Sequence, residues 1–255
     1  MDYGLNLLLI FLLGLIVGSF SNVCIYRIPR GESIVYPGSR CPQCKARITP
    51  VDNIPLLSYF LLQGRCRNCG SKISLQYPVV ESLNAIIYLL LYLKYGLSIQ
   101  TLVYMALSSA LIIIAFIDLQ EEIIPDELSL PGIIMGLALS FLVKYISVMD
   151  SLLGILVGGG VILLIALIGS WLFKKEAMGG GDVKLASMVG AFLGWKYILL
   201  SLFLGFLGGA LWGITLILFR IKDKEESIPF GPFIVLGSLI SIFWGESVLN
   251  WYLSI

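Results

Sequence analysis

The chain has 255 residues, of which 58% are hydrophobic and only 13% charged, and it contains no histidine. Soluble domains carry about a quarter of charged residues, so with a mean hydropathy of +0.95 most of this chain is expected to have lipid as its solvent. Without imidazole, Ser-His and Cys-His catalytic pairs and His-Glu-x-x-His zinc protease sites are excluded. The net charge of +1 gives no sign of nucleic acid as a partner, and any chemistry must rest on carboxylates or thiolates.

A membrane-spanning helix needs about 20 mostly apolar residues. The sequence predicts an all-α polytopic membrane protein of about eight transmembrane helices, over Leu5–Cys24, Val79–Tyr95, Thr101–Ile117, Leu128–Val143, Leu152–Phe173, Val183–Trp195, Tyr197–Phe219 and Phe230–Trp251. The sixth and seventh are separated at Gly194-Trp195-Lys196, because a merged run of 37 residues is too long for one span. The first apolar stretch has Asp2, no leading Lys or Arg and no small-residue cleavage pattern after it, so it is expected to be a retained anchor rather than a signal.

Basic residues accumulate in cytoplasmic loops. With eight spans, the Arg27 to Lys72 segment, Lys174, Lys175 and Lys184, and the group Arg220, Lys222 and Lys224 share one side. Of the 17 Lys and Arg residues, only Lys94, Lys144 and Lys196 fall on the other. This side is therefore expected to be the cytoplasm.

Residues 26–78 are polar and rich in Pro, Gly and Arg, and are predicted to form a small cytoplasmic insert between the first helix (1–25) and a membrane core (79–255). Cys41-Pro-Gln-Cys44 and Cys66-Arg-Asn-Cys69 stand 21 residues apart, the arrangement of two hairpins that offer four thiolates to a tetrahedral zinc. Disulfides or redox dithiols are the alternative, which a reducing cytoplasm disfavours. Four thiolates leave no open coordination position, so the expected zinc is structural, and it would supply much of the folding free energy of so small an insert. The apolar patch from Ile54 to Leu62 is either a short helix between the hairpins or a segment lying on the membrane. Cys24 is expected to be a buried apolar residue.

Ionisable groups near membrane spans are functional candidates by default. Glu81, Asp150 and Glu246 lie near span ends, and Glu121, Glu122, Asp223, Glu225 and Glu226 in polar loops, where ordinary surface roles suffice. Asp118 closes the third span, and Asp182 opens the sixth after Gly179-Gly180-Gly181, at the same predicted membrane face. Paired aspartates can hydrolyse a peptide when one carboxylate takes a proton from water and the protonated partner polarises the carbonyl. Two helix-capping aspartates would read the same on spacing alone. Helix dipoles suggest Asp182 as the base and Asp118 as the proton donor. Lys184 is either an interfacial cation or a holder of the pair's charge. The acidic loop Glu121 to Glu127 could attract a basic substrate.

Asp118-Leu-Gln-Glu-Glu-Ile-Ile-Pro-Asp-Glu-Leu128, Gly179-Gly-Gly-Asp-Val-Lys-Leu185 and Pro229-Phe-Gly-Pro-Phe233 resemble the type IV prepilin peptidases, membrane aspartic proteases with a Gly-x-Gly-Asp motif. Gly18-Ser-Phe-Ser-Asn-Val23, Tyr26-Arg-Ile-Pro29, the four cysteines, Asp52-Asn-Ile-Pro-Leu-Leu-Ser-Tyr59 and Tyr77-Pro-Val-Val-Glu81 are similar to the same family. The resemblance implies that Asp118 and Asp182 are catalytic and that Gly179 and Gly181 shape their loop. It implies a multi-pass protein of the bacterial inner membrane that cuts the basic leader of a prepilin or pseudopilin at the cytoplasmic face. The cut falls just before the substrate's hydrophobic stretch, usually after a glycine. It also implies N-methylation of the new N-terminus with S-adenosylmethionine, although no glycine-rich nucleotide fingerprint marks where that donor binds. A peptidase without methyltransferase activity, and a transport or assembly protein with a zinc-ribbon docking domain, are the alternatives. The transport reading expects carboxylates near mid-membrane.

Overall fold

The computed structural model describes residues 3–143, 145–174, 178–219 and 229–254. Lys144, Lys175, Arg220, Lys222, Asp223, Lys224, Glu225 and Glu226 lie outside the described residues. Nine α-helices occur among those described: α1 (Tyr3–Arg27), α2 (Leu57–Leu61), α3 (Gln76–Tyr95), α4 (Ile99–Glu121), α5 (Asp126–Val143), α6 (Val148–Phe173), α7 (Gly180–Leu193), α8 (Trp195–Leu218) and α9 (Gly231–Leu253). All but α2 fall on the eight predicted spans, in most cases beginning two to four residues earlier. α2 lies between the two cysteine hairpins, one of the two arrangements expected for that patch.

Six of these helices, α1, α4, α5, α6, α8 and α9, are long and apolar enough to cross a membrane. Their large exposed side chains are apolar, as on Leu156, Leu164 and Ile168 of α6, which suits a lipid surface and not a wetted one. α7 differs. Its 14 residues rise about 21 Å, less than the roughly 30 Å hydrocarbon core, and ten of them are buried. α5, α6, α8 and α9 all pack against it. The break from α8 is at Gly194, whose φ of +82° is open to glycine and strained for other residues.

The chain divides into two compact units, Met1–Ile113 and Ile114–Ile255, with the division inside α4. In the first, α1 packs on α3 at Gly14 and Gly18. A Cβ on Gly18 would stand 2.6 Å from the Cα of Glu81, so glycine lets the two backbones meet. A buried chain of hydrogen bonds accompanies this contact: Ser109 Oγ donates to Asn84 Oδ1 at 2.7 Å, and the hydroxyls of Tyr88 and Ser109 are 3.0 Å apart.

In the second unit, α6 clasps α7 just as closely. A side chain on Gly190 would overlap the backbone of Gly154, and one on Gly158 the carbonyl of Ala186. Ser151 Oγ donates to the Ala191 carbonyl at 2.7 Å. The short helix that carries Asp182 is thus fixed along its length.

Candidate active site and metal centre

Asp118 sits in the last turn of α4, which ends where Glu122 adopts a φ of +53° and donates its N–H to the Asp118 carbonyl at 3.0 Å. Asp182 sits in the first turn of α7, its N–H donating to the Gly179 carbonyl at 3.2 Å. Both side chains are buried, at 5% and 9% exposure. Two carboxylic groups from distant parts of the chain are therefore withdrawn from solvent, at the ends of two helices that the contact of Ile124 with Gly181 brings together.

The glycines before Asp182 take no positive φ. Gly179 has a φ of −75° that any residue adopts. Gly181 matters for space: a Cβ there would stand 2.9 Å from the Cβ of Ile124, so the loop after α4 lies against the start of α7.

A further contact was not foreseeable from spacing. The N–H of Gly231, at the start of α9, donates to Asp118 Oδ2 at 2.9 Å in a buried setting. Helix starts leave backbone N–H groups unpaired, and here a carboxyl group from another helix caps one. The sequence reading assigned only the C-terminus of its own helix to Asp118. With a helix start at each carboxyl, dipoles no longer divide base from acid.

Lys184 forms an ion pair with Asp126. Its Nζ donates to both oxygens of Asp126, at 2.6 and 2.8 Å, with both side chains partly exposed. The pair joins the first turn of α5 to the second turn of α7.

In the first unit, the four cysteines come together with all ligand atoms within 4.8 Å of one another. Thiolates at about 2.3 Å from a tetrahedral zinc would be about 3.8 Å apart, and the sulfurs of Cys41 and Cys69 are 3.9 Å apart. The donor set fits such an ion. The two hairpins repeat one design. Cys41 N–H donates to the Ala46 carbonyl and Cys66 N–H to Ser71, each at 2.9 Å. Lys45 and Gly70 take a positive φ, and antiparallel bridges Arg40 to Arg47 and Arg65 to Lys72 close the turns. Hydrogen bonding from the backbone of Cys44 brings the Cys41 thiol down to about 6, and hydrogen bonding to the Ser71 side chain lowers Cys69.

Other motif residues of this unit hold the insert in shape. Arg67 grips both oxygens of Asp52 at 2.7 to 3.1 Å, tying the Asp52-Asn-Ile-Pro segment to the second hairpin. Arg27, counted above as a loop cation, is buried and donates to the carbonyls of Ser33, Pro37 and Gly38. Glu81, given a bland role above, is also buried. Its Oε2 accepts the Leu56 N–H at 2.8 Å. Leu56 has φ 60° and ψ −53°, and Leu57 N–H donates to Pro55 at 2.7 Å, a strained γ-turn. Glu81 thus anchors the entry to α2, whose Leu57, Phe60 and Leu61 are exposed. The signal in the sequence was Glu81 itself, a carboxylate inside an apolar run.

Comparison with known proteins agrees with this arrangement. Residues 12–95 match the Bacterial Peptidase A24 N-terminal domain, and residues 105–214 the Type IV leader peptidase family. A prepilin leader peptidase/N-methyltransferase of Aeromonas salmonicida (strain A449) is 37% identical, over 96% of this chain and 93% of its own. Proteins of the same name from Pseudomonas putida and Bacillus subtilis (strain 168) are 34% and 33% identical, covering 92% and 96% of this chain and 90% and 97% of theirs. No solved structure matches the chain. With two carboxyl groups buried at helix ends, a four-cysteine centre and relatives aligned over nearly its whole length, the chain belongs to the type IV leader peptidase family.

Proposed function

We propose that this protein is a membrane aspartic endopeptidase that removes the leader peptide from type IV prepilins or pseudopilins and N-methylates the new N-terminus with S-adenosylmethionine. The observation that carries the hydrolytic half is the burial of Asp118 and Asp182 at the ends of two helices that the contact of Ile124 with Gly181 brings together. The two carboxyl groups share one proton: one takes a proton from water while the other donates to the scissile carbonyl. Asp118 is held in place by Gly231 N–H, and Gly181 lets the loop carrying Ile124 lie beside the pair. Gly179 supplies the carbonyl that accepts the Asp182 N–H. Lys184 acts indirectly, fixing the start of α7 through Asp126.

Zinc on Cys41, Cys44, Cys66 and Cys69 organises the insert and takes no part in hydrolysis. The methyltransferase reading rests on the names of the aligned relatives together with the insert's family motifs. The protein lies in the bacterial inner membrane, and the bias of basic residues favours a cytoplasmic insert and a cytoplasmic active site. Both aspartates stand in the first or last turn of their helices, which favours a peptidase over an ion path through mid-membrane.

Incubating the purified protein with a prepilin, with and without S-adenosylmethionine, and weighing the products tests both activities. A shortened pilin without the donor and a shortened, methylated one with it is the expected result. A shortened but unmethylated pilin in both would leave a peptidase alone, and an intact prepilin would remove the whole reading.

A further inference from the structure

The first cysteine hairpin carries a cavity of about 310 Å³ lined by Tyr36, Pro37, Gly38, Arg40, Lys45 and Arg47. Arg40 and Arg47 face each other across an antiparallel bridge, which puts both side chains on one face of the hairpin. Lys45 joins them from the turn, at a φ of +59°. The second hairpin repeats the bridged pair as Arg65 and Lys72 but has Gly70 at the matching turn position, with a φ of +69°. Glycine takes that conformation freely, whereas lysine is strained in it. The first hairpin therefore keeps an extra cation where the backbone favours glycine. Among the described residues no carboxylate pairs with any of the three cations, and no acidic residue lines the cavity.

The cavity stands at the end of α1. The 25 residues of that helix rise about 37 Å, more than the roughly 30 Å hydrocarbon core, so Arg27 in its last turn reaches headgroup depth. Arg27 in turn donates to the carbonyls of Pro37 and Gly38, at 2.7 and 3.3 Å, which fixes one side of the cavity at that depth. Beside it Val35 and Tyr36 are 84% and 78% exposed, an apolar and an aromatic side chain at the tip of a polar segment. A basic leader and S-adenosylmethionine, itself a net cation, are both repelled by three cations, so an anion is the fitting occupant. We propose that this cavity binds the phosphate of an anionic phospholipid, with Val35 and Tyr36 dipping between neighbouring lipids, so that the first hairpin rests on the bilayer where α1 leaves it. Basic side chains at a membrane surface are attracted to anionic lipid, and tyrosine is favoured at headgroup level. The proposal depends on α1 being a membrane span and on neither enzymatic activity.

The test places the full-length protein in nanodiscs of phosphatidylcholine, alone or mixed with phosphatidylglycerol, and reads backbone amide exchange over residues 33–40. The wild type is expected to exchange more slowly when phosphatidylglycerol is present. Each cation near an anionic surface is worth about fivefold in association. Lys45→Gly gives the first hairpin the residue of the second and relieves the positive φ, so it is expected to lower the protection severalfold without loosening the turn. The triple variant Arg40→Gln, Lys45→Gln, Arg47→Gln is expected to abolish it, whereas Arg65→Gln with Lys72→Gln, which removes charge from the second hairpin, keeps it. Val35→Ser is expected to weaken it with every charge in place. Lys45→Gly carries the comparison if the triple variant fails to fold. Equal exchange of the wild type in the two nanodiscs, or protection undiminished in Lys45→Gly, overturns the proposal. Equal protection by soluble glycerol phosphate in phosphatidylcholine nanodiscs would make the occupant a free phosphate compound and overturns it as well.

Discussion

The N–H of Gly231 lies 2.9 Å from Oδ2 of Asp118, a buried bond between residues 113 positions apart. It joins the end of α4 to the start of α9. Glycine is required for it, because a Cβ at this position would stand 2.6 Å from the same carboxyl oxygen. Gly231→Ala must therefore displace the carboxyl or the helix start. Displacements of about 1 Å cost on the order of 100-fold in rate. The expected outcome is a fall of that size in kcat with KM nearly unchanged, while pre-cut pilin is still methylated at the wild-type rate. Parallel cleavage and methylation kinetics check it.

The Lys184–Asp126 pair predicts a small effect. Both side chains are partly exposed, and exposed ion pairs contribute about 1 kcal/mol or less. Lys184→Ala and Asp126→Ala are each expected to slow cleavage by no more than severalfold, and the double variant by no more than either alone. A double-mutant cycle measures this directly. A loss approaching that of the aspartate variants would give Lys184 a direct part in the chemistry.

Removing the metal should affect the first unit and spare the second. Cys41→Ser or Cys66→Ser is expected to abolish stoichiometric zinc, measured by mass spectrometry of the metal, and to open residues 31–75 to limited proteolysis. The Arg67–Asp52 contact adds a pH signature. Hydrogen bonding from Arg67 holds the Asp52 carboxyl below its ordinary range. Its stabilisation is thus complete above the unfolded carboxylate value and is lost as pH falls through the lowered folded one. Asp52→Asn should remove that acid-side step in proteolytic resistance.

Glu81 is predicted to be an anchor of the insert. Glu81→Ala leaves the Leu56 N–H without its acceptor, a cost of about 1 to 3 kcal/mol, in a γ-turn that is itself strained by a similar amount. Faster proteolysis near residues 54–62 is expected, with Glu81→Gln retaining most of the protection because its amide oxygen still accepts. Equal sensitivity in both variants would show that the charge, and not the hydrogen bond, is what matters.

Much of the fold was legible because lipid demands long apolar runs, and the eight predicted spans all fall on helices. The Gly194 break was readable from glycine next to an aromatic and a lysine. What could not be read was why α7 is short: its enclosure by four other helices depends on glycines of α6, namely Gly154 and Gly158, whose partners lie more than 25 residues away. The site followed the same division. Asp118, Asp182 and the cysteines carry local signals, either a carboxylate at the end of an apolar run or a repeated Cys-x-x-Cys. The Gly231–Asp118 bond and the pairing of Lys184 do not, although Gly231 and Asp126 lie in motifs quoted above, because a backbone amide has no sequence signature and an ion pair across 58 positions leaves no periodicity.

The central claim is that Asp118 and Asp182 together cut the leader, and its most direct measurement is prepilin cleavage by Asp118→Asn and Asp182→Asn proteins, followed by mass spectrometry. Asparagine keeps size and an acceptor for Gly231 N–H but removes the acid. The account predicts that each variant loses cleavage by about 10⁴-fold or more while still methylating pre-cut pilin with S-adenosylmethionine. Near wild-type cleavage by either variant would contradict it.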